Sequence, residues 1–222
     1  MLQFDIKVMK MKINKNLFDY FYKAGIPVQY HKNDIIYMQD DYSNNLYLVI
    51  KGRVRVYALS SNGEEITYDI LDEGRIFGDS SFFQNSPRPT TVSAINDVEL
   101  ISCTLENLYP YLKDSHELTI ALLKLMSQTC DYLSTLLKRS YTYNRFEKIA
   151  SFLLEVTQTD NPNKNIIHNT IPYTHEEIST IVGLSRVTTT KVLNEFQKNG
   201  YIKIEYKKIT VLNKEALSKL IR

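Results

Sequence analysis

The stretch that decides the fold is YTHEEISTIVGLSRVTTTKVLNEFQKNGYI, residues 173–202. Its apolar residues recur at helical spacing, yet four β-branched residues, Val187 to Thr190, stand in a row. Branching at Cβ restricts χ1 and gives such residues weak helix propensity. The stretch divides into two helices. The first starts at Thr174, an N-cap with Glu177 three residues on to return the hydrogen bond, and runs to Val182. Gly183 makes the turn. Ser185 caps the second helix, whose inward face is Val192, Leu193 and Phe196. Two helices joined by so short a turn form a helix-turn-helix. The outer face of the second helix then holds Ser185, Arg186, Val187, Thr190 and Lys191, with Thr188 and Thr189 beside them. A helix lying in a DNA major groove needs small hydroxyls and methyls that let its backbone approach base edges. It also needs longer cations for guanine or phosphate. The propensity given up is about 0.5 kcal/mol per residue, to be offset by contacts with DNA. The competing reading is a three-helix structural domain with a polar outer face.

Working outward, IKIEYKKITVLN (202–213) alternates around Lys207 and Lys208, the pattern of a winged β-hairpin. Upstream, NRFE (144–147) fits a capping box and starts a helix to about Thr157. The polar TQTDNPNKN (157–165) and a short alternating NIIHNTIPY (165–173) follow. Before Asn144 the pattern predicts a long helix over residues 115–140, preceded by Pro110. Leu118, Leu122, Leu125, Thr129, Tyr132 and Leu136 repeat at coiled-coil spacing, and Leu123, Met126, Cys130, Leu133 and Leu137 form a second line beside them. Two apolar lines need two partners, the rest of the chain and a second copy of it.

From Val28 to about Thr104, short alternating runs are separated by KGR, SNGE, DEGR and SPRP. Many short strands with such turns predict an antiparallel sandwich or small barrel, with SSNGEE as a hairpin. KNLFDYFYKAG (15–25) is a helix with Gly25 as its C-cap. The expected class is α+β. An effector-binding β-roll of jelly-roll type spans residues 1–114. A dimerisation helix and hinge span 115–143, and a winged helix-turn-helix spans 144–222.

The 222 residues are 43% hydrophobic, which favours packed cores over disorder. The net charge of +2 hides an asymmetry: 13 Lys+Arg against 8 Asp+Glu from Arg139 onward give +5, leaving 14 against 17, or −3, before it. A basic C-terminal part suits a polyanion. No apolar run approaches the roughly 18 residues of a membrane span, and no signal peptide is legible. The expected location is the cytoplasm, with no membrane partner. Cys103 and Cys130 make no disulfide framework and read as small buried hydrophobes. His31, His116, His168 and His175 are scattered, as surface or loop residues would be. No metal cluster, nucleophile–base pair or phosphate-binding glycine loop is legible, so no catalytic or metal residues are assigned and an enzyme is not expected.

In the order and spacing of these blocks the chain resembles the Crp/Fnr family of bacterial transcription regulators. NNLYLVIKGRVRVYALSSNGEEITYDILDEGRIFGD (44–79) is similar to the family's effector β-roll, RFEKIASFLLE (145–155) to the first helix of its DNA-binding domain, and residues 174–202 to its helix-turn-helix. The resemblance implies a homodimer that binds double-stranded DNA at a near-palindromic operator, contacts RNA polymerase and responds to an effector. It also implies an effector site. In cAMP-binding members a Gly-Glu pair and, about ten residues on, an Arg with a hydroxyl residue hold the nucleotide. Here Gly78 and Asp79 match the pair, with Ser80 next, and Arg88 matches the arginine. Pro89 replaces the hydroxyl residue and removes a side-chain donor and a backbone N–H. Thr90 is one position off. On the long helix Leu133 stands where those members place a base-contacting Thr, while Ser134 matches the neighbouring hydroxyl. These departures argue against cAMP. They leave another small anionic effector at Arg88, or a different input with Arg88 merely a surface arginine on a turn. The family's iron–sulfur sensors use N-terminal cysteines, and none precedes Cys103, so no cluster is expected. Most members carry Glu where Val187 stands, and that carboxylate accepts from cytosine. Valine methyls suit a thymine methyl instead, which predicts A·T at that operator position. Lys191 takes the place of a family Arg and suits phosphate better than bidentate base reading. The competing function is a cyclic-nucleotide-binding signalling module that acts through protein contacts.

Overall fold

The computed structural model describes residues 11–60, 63, 65–84, 86–158, 170–171, 173–205 and 208–221. His168, Lys207 and most of TQTDNPNKN and SNGE lie outside the described residues. Contacts divide the chain into two compact units, one of residues 11–130 and one whose described part runs from residue 131 onward.

The N-terminal unit opens with a 3-10 turn at Lys15–Leu17 and helix α1 (Phe18–Ala24). Strands β1 (Gly25–Tyr30), β2 (Ile35–Tyr37), β3 (Asn45–Lys51), β4 (Val54–Leu59), β5 (Glu65–Leu71) and β6 (Ile76–Phe77) follow. Then come α2 (Asp79–Gln84), β7 (Thr91–Ala94), β8 (Val98–Thr104) and α3 (Leu105–Asp114). Two antiparallel four-stranded sheets form, in the orders β1-β8-β3-β6 and β2-β7-β4-β5. Strands far apart in sequence are neighbours, as in a jelly roll. The alternating runs put Val49, Val54, Val92 and Leu100 into one core with Tyr37, Tyr47 and Phe77, each fully buried aliphatic worth about 1.5–3 kcal/mol.

Two local expectations change and a third gains another reason. Gly25 caps α1, its N–H donating to Phe21 O, but in an extended conformation with φ −128°, and glycine is needed there for room, because a Cβ would sit 2.6 Å from the Ser102 carbonyl oxygen. Helix α3 has no counterpart in the sequence reading. It is capped by Thr104 and runs through Pro110, forfeiting the bond that ring cannot donate. Cys130 is exposed on this chain, not buried, whereas Cys103 is buried and its thiol is pushed up to about 12 by desolvation.

Helix α4 (His116–Thr142) crosses the division between the units. Ser115 Oγ starts it by accepting from Leu118 N at 3.2 Å. Its two apolar lines part company. Leu118, Leu122 and Leu125 are buried, while Leu123, Met126, Leu133 and Leu137 are exposed, Leu137 by 60%.

In the C-terminal unit the order is α5 (Arg145–Gln158), β9 (Thr170–Ile171), α6 (His175–Val182) and α7 (Arg186–Lys198). The wing β10 (Ile202–Glu205) and β11 (Lys208–Val211) and a short α8 (Lys214–Ser218) complete it. The sheet order is β10-β11-β9. Both capping boxes form as their residue types predict. Asn144 Oδ1 accepts from Glu147 N at 3.1 Å while Glu147 Oε2 accepts from Asn144 N at 2.8 Å. Thr174 and Glu177 exchange the same pair of bonds. Gly183 takes φ +66°, the left-handed value that ends α6 and aims the chain into α7. A part-buried ion pair of Arg139 with Glu155 ties the end of α4 to α5.

Thr189 does not lie beside the outer face of α7. It is fully buried, and its hydroxyl finds no partner among the described residues. An unpaired buried hydroxyl costs about 1–3 kcal/mol. Thr189→Val keeps the branched shape and removes that cost. Urea unfolding of the variant will give a midpoint raised by the equivalent of about 1 kcal/mol.

Candidate nucleic-acid interface and effector site

Six of the seven sequence-predicted DNA residues lie at the start of α7, from its cap Ser185 to Lys191, and Thr174 caps α6. Ser185 Oγ accepts from Thr188 N at 3.1 Å and lies 2.8 Å from Thr188 Oγ1. The two hydroxyls thus fix each other at the start of α7, where unpaired N–H groups favour an anion. Arg186, Val187 and Lys191 are exposed, Val187 by 65%. Thr188 and Thr190 are half-buried and Thr174 is exposed. Behind this face Val192, Leu193 and Phe196 are buried with Ile149, Leu153 and Ile178. The side chains open to a partner are short hydroxyls, one valine and two cations, a set that suits close approach to a groove. On the wing, Lys203 and Lys208 are exposed as well.

Two contacts that the sequence reading missed tie this face to α6. Glu176 Oε2 lies 3.3 Å from Arg186 Nε, an exposed ion pair that holds the guanidinium in the free protein. His175 Nδ1 lies 3.2 Å from Thr190 Oγ1. No periodicity marks a contact between the first residue of one helix and the middle of the next. The only signal was the helix-turn-helix itself, which brings those positions together.

The proposed effector residues behave differently. Gly78, Asp79, Ser80, Arg88 and Thr90 all lie in the N-terminal unit, while Ser134 lies past the division, exposed on α4. Arg88 is not a surface arginine on a turn: it is 0% exposed. Nη1 donates to Gly78 O at 2.8 Å, and Nη2 donates to Asn45 O at 2.6 Å and Ser43 Oγ at 3.0 Å. The guanidinium carbon stands 4.3 Å from the centre of the Tyr37 ring, a cation–π contact in a desolvated setting. Backbone bonds to Asp40 and Asp41 lock the residue from both sides. Gly78 must be glycine here. Its φ is +86°, and a Cβ would sit 2.7 Å from Arg88 Nη1. The guanidinium is fully buried, and three of its N–H groups are used within the protein while Nε finds no partner among the described residues. Thr90 is also engaged inward, by a hydrogen bond to the Tyr37 hydroxyl.

Asp79 opens α2. Burial raises its carboxyl above the usual range, and its own and Ser80's backbone N–H groups, Arg88 and Arg75 oppose that rise. Beside it, Met11, Arg75, Ile76, Leu125, Met126 and Thr129 line a shallow cleft. Arg75 is the cation of this cleft, and it is paired with Asp69 at 2.6 Å. In sequence it is one of several arginines at a turn, with nothing to single it out.

Comparison with known proteins bears on the fold and the family. Residues 27–115 match the model of a cyclic nucleotide-binding domain, and residues 147–220 match that of a Crp-like helix-turn-helix domain. The chain is 30% identical to the transcriptional regulator SdrP of Thermus thermophilus, over 78% of this chain and 82% of that protein. It is 29% identical to the global nitrogen regulator of a Synechocystis strain, over 85% of each. Among solved structures, FixK2 from Bradyrhizobium japonicum superposes with a TM-score of 0.73 at 20% identity, over 89% of this chain and 98% of that one, which bears on the fold alone.

Removing the Arg88 side chain strands the carbonyls of Gly78 and Asn45 around a void. Arg88→Ala will lose about 1–3 kcal/mol of stability for each stranded carbonyl in urea unfolding. Arg88→Lys will recover only part of it, because one ammonium cannot fill a planar fork.

Proposed function

The chain belongs to the Crp/Fnr family of transcription regulators, and from that premise we propose that it is a dimeric, effector-responsive regulator that binds a near-palindromic operator. Residues 1–114 hold the effector domain, 115–143 the pairing helix and hinge, and 144–222 the reading domain. The observation that carries this proposal is the outer face of α7: Arg186, Val187 and Lys191 are exposed, with Thr190 half-buried beside them, opposite a core built by the same helix. Thr174, Ser185 and Thr188 supply hydroxyls for phosphates and groove walls. RNA polymerase enters as a partner by family membership.

Pairing rests on the second apolar line of α4. Leu123, Met126, Leu133 and Leu137 are exposed at spacings of three and four, with Cys130 among them. Such a seam is covered when two copies run side by side. A two-fold dimer carries two α7 helices and so reads two half-sites in inverted order.

The input of the β-roll is something other than cAMP. Pro89 lacks the donors a phosphate needs, Arg88 is turned inward, and Leu133 replaces a polar base contact. A small effector that avoids Arg88 has Asp79, Arg75 and Thr129 available in the adjacent cleft.

Selection from random duplex DNA tests the reading and supplies the operator. The selected site will have two inverted half-sites, and affinity will fall steeply with salt as phosphate contacts release counterions. An A·T pair will stand at the Val187 position, and Val187→Glu will move the preference to G·C by about 1–3 kcal/mol. A protein that binds no duplex would leave the signalling-module reading in its place. Leu133→Glu will convert the dimer to a monomer in sedimentation. Mild oxidation of the native protein will yield a Cys130-linked dimer on a non-reducing gel. Thermal melting with cAMP will leave the midpoint unmoved.

A further inference from the structure

His175 is the first residue of α6, half-buried, with Nδ1 3.2 Å from Thr190 Oγ1 on the reading helix. Thr190 takes up one ring nitrogen and leaves Nε2 for a partner outside. Two charged side chains bear on the ring's surroundings. Arg186 on α7 acts on it directly, and Glu176 on its own helix acts through the 3.3 Å pair with Arg186. No charge on α5, which also packs on α6, figures among the described influences on the ring. Burial first, and Arg186 second, hold the imidazole below its usual 6.5. In the free protein at neutral pH the ring is uncharged.

When a helix-turn-helix docks, its second helix enters the major groove and its first helix crosses the sugar–phosphate backbone. His175 sits on that first helix, yet it is bonded to the second. We propose that His175 is a phosphate contact that docks as an imidazolium, so that operator binding takes up one proton at this ring. The inference rests on the DNA-binding reading above. A neutral ring meets Thr190 and a phosphate together only as the tautomer whose Nδ1 accepts from the Thr190 hydroxyl and whose Nε2–H donates, whereas the imidazolium donates from both nitrogens and adds its charge to the phosphate contact. One donor stays on Thr190 and the other meets a phosphate oxygen. The added proton comes from the buffer and ends on the ring. The phosphate charge counters Arg186 and raises the ring's affinity for that proton.

The sign follows from linkage. Between the lowered affinity for a proton in the free protein and the raised one in the complex, the complex holds more protons. Operator affinity therefore falls as pH rises through that interval. The test uses the full-length protein and the duplex chosen by selection, at constant ionic strength. Fluorescence anisotropy from pH 5.5 to 8 will show affinity dropping by as much as about tenfold per pH unit over part of the range. Titration calorimetry in phosphate and in Tris will differ in heat by the proton taken up. His175→Gln keeps a side-chain bond to Thr190 but cannot titrate. It will bind more weakly at pH 6 and lose this part of the slope. His175→Arg, charged throughout, will bind tightly with a flat profile, and circular dichroism melts will check that both variants fold. The remaining histidines are common to all three proteins, so their contributions cancel in the comparison. An identical slope in native protein and His175→Gln would overturn the role of His175 and leave DNA binding intact. Failure of the native protein to bind any duplex at any pH would overturn both.

Discussion

Val192, Leu193 and Phe196 bury the inner face of α7 in the core that Ile149, Leu153 and Ile178 complete. That burial frees the outer face from the task of making a helix. Three buried apolar side chains contribute several kcal/mol, against a propensity deficit of about 0.5 kcal/mol for each of four β-branched residues. The margin explains why Val187, Thr188 and Thr190 can be chosen for reach and shape. Thr189 is the exception within the run. It faces inward and packs as a valine would, at the cost of a hydroxyl without a partner. The caps at Ser185 and Thr174 and the left-handed turn at Gly183 finish the job by fixing where α7 begins.

The same logic in the N-terminal unit runs through Arg88. A fully buried guanidinium is costly unless its donors are satisfied. Here two carbonyls, one hydroxyl and a tyrosine ring do most of that work, and Nε alone finds no partner among the described residues. The family pattern places a phosphate ligand at this position. This chain uses it to fasten the β3 edge to the Gly78 turn and the Tyr37 ring. A cation committed in this way stabilises the roll whether or not an effector is present. It also shifts the search for the effector towards Arg75 and Asp79, whose exposure to the cleft is not consumed by the core.

Much of this was legible in the chain, and the reasons differ by element. Alternation located the strands because each faces a core on one side only. Cap chemistry located α5, α6 and α7 because Asn144, Thr174 and Ser185 satisfy N–H groups that nothing else reaches. What failed was whatever depends on contacts distant in sequence. Gly25 does cap α1, but the reason it must be glycine is Ser102, across the β1–β8 pairing. Pro110 resembles a helix stop, but packing of Leu108 into the core carries α3 through it. Arg88 resembles a ligand or a surface residue, and only the fold brings Ser43 and Asn45 to it. His175 lies fifteen positions from Thr190, and no single-helix pattern couples them.

The charge distribution bears on why two copies would be needed. The chain carries only +2 overall and +5 from Arg139 onward, and Glu176 faces Arg186 in the helix-turn-helix. One such unit neutralises few phosphates, so its affinity for duplex is modest and its dependence on salt shallow. The proposed pairing along α4 would change the arithmetic. Once the first unit is bound, the second meets its half-site at an effective concentration set by the pairing helix. The exposed line from Leu123 to Leu137 thus does two jobs on the proposed reading. It covers apolar surface that would otherwise face water, and it converts two weak contacts into one specific one. A chain with a more basic face could bind as a single copy, but it would lose discrimination to phosphate attraction. Sparse charge, small reading side chains and a long apolar seam are therefore mutually dependent features.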